Sequence, residues 1–133
     1  MKTLVIIPCY NEEEALPSTL KRMETLMNKM LGEKLIDKNS RVMFVDDGSA
    51  DNTWQILKKG VGKTPFFEAL RLSRNFGHQS AILAGMFDNE ADIYVTIDAD
   101  LQDDPDCIVE MLQKIKAGAD IVYGVRRERS SDT

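Results

Sequence analysis

The amino-acid sequence predicts an α/β fold, with a mostly parallel sheet as the middle of three layers and helices on both faces. Three observations carry this. Short apolar runs alternate along the chain with segments whose apolar residues recur at three- and four-residue steps. The short runs are apolar throughout rather than at every second residue, as strands covered on both faces are. Each run also ends in polar or ionisable residues, the side of an open parallel sheet where ligands bind.

Taken in order, Thr3–Ile7 reads as a buried strand closed by Pro8. Glu12–Leu31 reads as a helix, with Leu16, Leu20, Met23, Leu26, Met27 and Met30 on one face and Gly32 as its stop. Arg41–Val45 is a second strand. Asp51–Lys59 is a short helix capped by Asp51, with Trp54, Ile56 and Leu57 inward. Phe66–Ser73 is a third strand entered at Pro65, and His78–Asn89 a helix rich in Ala, Ile, Leu and Met. Ile93–Ile97, almost wholly β-branched, is a fourth strand. Pro105–Ala117, with Pro in its first turn and Gly118 after its end, is a helix, and Asp120–Tyr123 a fifth strand.

The composition excludes several classes. A chain of 133 residues with 43% hydrophobic and 29% charged residues has the size and texture of one domain. Its net charge of −5, with no basic stripe, makes it a poor partner for nucleic acid. Two cysteines, Cys9 and Cys107, do not make a disulfide framework, and a single His leaves no Cys/His zinc cluster. Both cysteines read as small hydrophobes, and Trp54 and the methionines as core. No apolar run approaches the length of a membrane span, and the run of Met1-Lys2-Thr3 straight into the first strand leads one to expect no signal peptide, so the expected compartment is the cytosol or the cytosolic face of a membrane.

The chemistry gathers at the strand ends. Asp98 and Asp100 alternate across Ala99 beyond the fourth strand, so both carboxylates can lean the same way. Carboxylates so close raise each other's pKa unless a cation joins them, and a hard divalent ion, Mg²⁺ or Mn²⁺, suits oxygen donors. Asp103, Asp104 and Asp106 read instead as helix-capping charge. After the second strand, Asp46-Asp47-Gly48-Ser49-Ala50-Asp51 is turn chemistry, yet the turn does not need the Asp pair, and one carboxylate there could accept a hydrogen bond from a base. The first loop has neither a Gly-x-Gly-x-x-Gly nor a Walker pattern. Tyr10 offers a flat face for a base or packs as a lone aromatic, and Glu12–Glu14 read as favourable charges in a first helical turn. Arg74, Arg126, Arg127 and Arg129 follow strands three and five, where Arg forks bind phosphate. His78 reads as a cap or packing residue rather than a catalytic one.

Five segments in register carry a resemblance. Val5-Ile6-Ile7-Pro8-Cys9-Tyr10-Asn11-Glu12-Glu13, Phe44-Val45-Asp46-Asp47-Gly48-Ser49-Ala50-Asp51-Asn52-Thr53 and Ile97-Asp98-Ala99-Asp100-Leu101-Gln102-Asp103 resemble the nucleotide-sugar half of family 2 glycosyltransferases of the GT-A fold. Leu72-Ser73-Arg74-Asn75-Phe76-Gly77-His78-Gln79 and Val122-Tyr123-Gly124-Val125-Arg126-Arg127 narrow the resemblance to polyprenyl-phosphate glycosyltransferases, both the dolichyl-phosphate mannose synthases and the bacterial undecaprenyl-phosphate glucosyltransferases.

The resemblance implies inverting transfer of a hexose from a nucleotide-sugar, UDP-glucose or similar, to a polyprenyl phosphate. Pro8, Tyr10 and Glu12 would line the nucleotide pocket. Val45 and Asp47 would hold the base, Asp47 through its ring N–H, with Asp46 supporting the loop. Asp98, Ala99, Asp100 and Gln102 would surround the diphosphate, with Asp98, Asp100 and Gln102 at Mg²⁺ or Mn²⁺, and Arg126 would meet the diphosphate or acceptor phosphate. It also implies that residues 1–133 are the donor half of a longer enzyme at the cytoplasmic membrane face. On that reading the piece is a soluble one, inactive alone, whose uncovered acceptor side would favour self-association. A receiver-like phosphoryl-transfer domain and a non-catalytic nucleotide-binding or assembly module are the competing readings.

Overall fold

The computed structural model describes residues 1–87, 89–100 and 106–116. The expected fifth strand, Pro105, Gly118, Gln102, Asp103, Asp104 and the arginines from Arg126 onward lie outside the described residues. Strands β1 (Thr3–Cys9), β2 (Arg41–Asp46), β3 (Phe67–Arg71) and β4 (Ile93–Thr96) alternate with helices α1 (Leu16–Gly32), α2 (Thr53–Val61), α3 (His78–Phe87) and α4 (Cys107–Lys116). All the pairings are parallel, in the order β3-β2-β1-β4. From β1 the chain steps outward twice in one direction, through α1 and α2, and then returns across β1 to β4. Right-handed crossovers therefore place α3 on the opposite face from α1 and α2. One face of the sheet packs on α1, α2 and α4 through Val5, Ile7, Phe44, Met23, Met27, Leu57, Ile108 and Leu112. The other packs Leu4, Ile6, Met43 and Val45 on Ala81 of α3. The crevice between β1 and β4, where the strand order reverses, is where such a fold opens a site.

Element ends depart from the expected ones for physical reasons. Strand β1 runs through Pro8 to Cys9. Ile97 N–H bonds to Ile6 C=O, so even-numbered residues of β1 face β4. That ladder ends below Pro8, whose missing N–H therefore costs no bond. Helix α1 starts at Leu16 rather than Glu12, with Pro17 in its first turn where no donor is needed. It runs through Gly32, and the chain reverses at Lys34 (φ 57°), with Leu35 N–H closing onto Met30 C=O at 2.9 Å. Helix α2 begins at Thr53, after Asn52; Asp51 still caps from one residue earlier by accepting the Thr53 N–H at 2.9 Å. Strand β4 is not buried on both faces: Ile93 and Val95 are buried while Tyr94 and Thr96 are exposed on the α3 side.

Candidate functional site

The two acids that end β2 are both buried. Asp46 is fully buried; its Oδ1 accepts the Ser49 N–H at 3.0 Å and closes the turn. Its Oδ2 has no hydrogen-bond partner and lies 3.8 Å from Arg71 Nε, whose guanidinium stands 5.6 Å over the Trp54 ring. Asp47, 3% exposed, reaches across to the loop after β3. Its carboxylate accepts the N–H of Phe76 at 2.8 Å, the N–H of Gly77 at 3.0 Å and Asn75 Nδ2 at 3.3 Å. Gly48 between these loops is at φ +71°, and a Cβ there would lie 2.3 Å from the Arg74 carbonyl carbon, so only glycine lets the two backbones meet. Arg74 covers the Phe76 ring at 4.6 Å.

The loop after β1 is laced to the loop after β2 by backbone N–H groups donating to side-chain oxygens. Asn11 N–H donates to Ser49 Oγ at 2.9 Å, Glu12 N–H to Thr53 Oγ1 at 2.9 Å, and Glu13 N–H to Asp51 Oδ2 at 3.3 Å. In the other direction, Ala50 N–H donates to Asn11 Oδ1 at 2.9 Å and Asn52 N–H to Glu13 Oε2 at 3.3 Å. Asn11 takes a left-handed φ of 52°, tolerable for Asn. Thr53 Oγ1 in turn donates to Asp51 Oδ1. Burial would raise the Asp51 carboxyl, but the hydrogen bonds from Thr53 Oγ1, Thr53 N–H and Glu13 N–H prevail and hold it below its ordinary value. Glu12–Glu14 thus precede the helix as a tethered turn rather than forming its first turn.

Beyond β4 the arrangement inverts. Ala99 is 2% exposed and its C=O accepts Thr19 Oγ1 of α1, which ties the loop down at its middle residue. Asp98 and Asp100 on either side are therefore left at the surface; Asp98 is 43% exposed, with Oδ1 3.8 Å from His78 Nε2.

The strand-end loops enclose a cleft of about 240 Å³. Of the residues expected at a site, Pro8, Tyr10, Glu12, Asp47, Asp98, Ala99 and Asp100 line it. Val45 does not: it is fully buried beneath α3, against Gly85, so its side chain does not reach the cleft. Gln102 and Arg126 lie outside the described residues. Cys9, Asn75, Gly77 and His78 also line it. Asn75 carried no assigned role in the sequence, and His78, expected to cap or pack, is instead a 57% exposed wall of the cleft. The signal for both was their position just after β3, on the same sheet edge as the acids.

The cleft is acidic. Burial first, then the negative charges of Asp100, Asp51 and Asp98, push the Glu12 carboxyl above its ordinary value. Burial, then Glu12 and Asp46, pushes the Cys9 thiol up, which removes it as a nucleophile. No cluster of three or more His, Cys, Asp or Glu side chains is placed to hold a metal among the described residues. What they offer is two surface carboxylates flanking a buried alanine, a hard-oxygen donor pair that suits Mg²⁺ or Mn²⁺ and leaves coordination positions free.

Residues 4–133 match the model of glycosyl transferase family 2. An uncharacterized glycosyltransferase, YkoT of Bacillus subtilis, is 41% identical over 97% of this chain, which covers 39% of that protein. The bactoprenol glucosyl transferase of Shigella phage SfX is 35% identical over 99% of the chain and 41% of its own length. The chain thus spans about two fifths of the relatives it matches. Among solved structures, S. aureus TarS 1-349 in complex with UDP superposes with a TM-score of 0.58 at 26% identity, over 75% of this chain and 28% of that one. The mannosyltransferase PcManGT from Pyrobaculum calidifontis, in complex with GDP-Man and Mn²⁺, has a TM-score of 0.59 at 21% identity, over 74% and 27%, a likeness of fold.

Proposed function

Because the chain belongs to glycosyl transferase family 2, we propose that residues 1–133 form the donor-binding part of a GT-A enzyme that moves a hexose from a nucleoside diphosphate to a polyprenyl phosphate, with inversion. One observation carries the proposal: the cleft at the carboxyl edge of the sheet, where a tyrosine face, a buried acid and two exposed acids converge from separate strands. The bactoprenol glucosyl transferase relative supports the lipid acceptor, and the UDP held by TarS supports a uridine nucleotide. A polyprenyl-phosphate acceptor used with a nucleotide-sugar donor would put the whole protein at the cytoplasmic face of the membrane; no helix among the described residues is long and apolar enough to cross a membrane.

In this reading the base lies along Tyr10 and within reach of Asp47, whose carboxylate keeps lone-pair capacity beyond the loop N–H groups it accepts. Asp98 and Asp100 would hold Mg²⁺ or Mn²⁺, with Gln102 and Arg126 completing the diphosphate's surroundings. When bound there, the cation would neutralise charge at the departing diphosphate. The protein orients the donor so that the acceptor phosphate, already ionised at neutral pH, meets the anomeric carbon in line; the step needs positioning more than proton abstraction. This is consistent with a cleft that has no activated nucleophile among its described residues. A receiver-like role is disfavoured because Asp46 and Asp47, its candidate acid pair, are both buried.

Calorimetry of UDP and UDP-glucose, with Mn²⁺ or with EDTA, tests the donor half. Binding that needs Mn²⁺ and is lost in Asp100→Asn is expected; metal-independent or absent binding would overturn it. Radiolabelled hexose transfer to undecaprenyl phosphate by the full-length protein tests the acceptor half.

A further inference from the structure

We propose that Asp51 and Thr53 are positioning residues: a single hydroxyl–carboxylate relay on the β2 loop sets the Tyr10–Glu13 segment of the donor cleft, and donor affinity depends on it. The inference rests on the nucleotide-binding reading and assigns a role to residues that do not line the cleft.

The loop after β1 approaches the ligand without the glycine pattern that would let backbone N–H groups face a phosphate. The N–H groups of Asn11, Glu12 and Glu13 are instead taken up by Ser49, Thr53 and Asp51 side-chain oxygens. The relay takes two of them in sequence: Glu12 N–H donates to Thr53 Oγ1, that hydroxyl donates to Asp51 Oδ1, and Asp51 Oδ2 accepts Glu13 N–H. Thr53 is fully buried, so water cannot replace its oxygen if it is removed. The link between Asn11 Oδ1 and Ala50 N–H is weaker in this respect, because both residues are exposed, while Asn11 N–H on the buried Ser49 Oγ is a separate tie beside the relay.

The relay matters for the site because of what it holds. Tyr10 is 48% exposed and Glu12 only half-buried, so neither has a packed environment to set its rotamer; the backbone that carries them has to be fixed from behind. Glu12 also stands among Asp100, Asp51 and Asp98, whose repulsion would drive a loose segment outward. A tethered loop keeps the carboxylate and the aromatic face in place before the donor arrives, so less ordering is required on binding.

The test uses Thr53→Val, which keeps the shape and removes both hydrogen bonds, and Thr53→Ser, which keeps the hydroxyl. Amide hydrogen exchange at Glu12 and Glu13 reads the relay with no ligand present; UDP affinity with Mn²⁺ reads its consequence. Thr53→Val should exchange Glu12 faster and raise the Kd for UDP about tenfold, about 1.4 kcal/mol, while Thr53→Ser stays within about twofold of the native chain. Asp51→Asn, isosteric, gives up one of the two carboxylate oxygens that accept in the relay and should raise Kd about threefold; it stands in if Thr53→Val does not fold. Faster exchange with unchanged Kd in Thr53→Val, or in Asp51→Asn if it stands in, would overturn the positioning role. Failure of the native chain to bind any nucleoside diphosphate would instead overturn the donor-binding reading, and the inference with it.

Discussion

Two acid pairs end two strands of one sheet, and the fold treats them in opposite ways. Asp46-Asp47 are adjacent, buried, and engaged with backbone N–H groups of their own turn and of the loop after β3. Asp98 and Asp100 are separated by an alanine that is itself buried and tied to Thr19, which leaves the carboxylates at the surface. The difference lies in which residue the loop anchors. In the first pair the acids are the anchors; in the second the residue between them is. Burial strengthens the hold of a carboxylate on the backbone N–H groups it accepts, while one that is to meet a cation must keep lone pairs accessible from solvent.

The largest expected effect separates the pairs by stability. Asp47→Ala leaves two loop N–H groups without their acceptor and should destabilise the fold by about 3 kcal/mol in urea unfolding. Asp100→Asn should change it by less than about 0.5 kcal/mol, while costing at least about tenfold in Mn²⁺-dependent UDP affinity. Equal destabilisation by the two variants would erase the distinction. The next effect probes the tie between Thr19 and the β4 loop. Thr19→Val removes the donor to Ala99 C=O and should cost about 1 kcal/mol of stability. Because the anchor sits between the two surface acids, the same variant should weaken metal dependence while leaving the β1 and β2 loops intact. Mn²⁺ titrations at fixed UDP would show whether it does.

The layered fold and the sheet edge were legible in the residues because burial on both faces and the crossover rule leave few alternatives. So was the convergence of Pro8, Tyr10, Glu12, Asp47, Asp98 and Asp100, since each directly follows a strand. What the sequence does not reveal is which way each side chain is used. Val45 sits next to Asp46 in a motif, yet alternation along β2 turns it under α3. Asp47 reads as a base acceptor, and its partners at Phe76 and Gly77 are some thirty residues away, beyond any local pattern. His78 heads an apolar helix, which suggests packing, but as the first helical residue it is left at the mouth of the cleft, facing Asp98. The exposure of β4 at Tyr94 and Thr96 is not legible because a β-branched run looks the same whether one face or both are covered.

The smallest effect concerns Glu12, which lines the cleft with Asp47, Asp98 and Asp100. Burial and then the charges of Asp100, Asp51 and Asp98 raise its carboxyl above the ordinary glutamate value of about 4.5. A raised pKa means the folded chain holds this proton more tightly than the unfolded one. The stability it contributes is therefore fully present below about pH 4.5 and is lost as pH rises through the folded value. Glu12→Gln, neutral at every pH, should remove that loss. The difference in urea midpoint between native chain and variant should thus grow in the variant's favour as pH climbs above 4.5 and then level off. Part of the raising force comes from Asp98 and Asp100, and a divalent cation held by them would cancel it. Saturating Mn²⁺ should accordingly shrink the pH-dependent difference without abolishing it, because the burial contribution remains. A difference insensitive to Mn²⁺ would mean that the exposed pair does not collect the cation beside Glu12, and the contrast with the buried pair would then rest on stability alone.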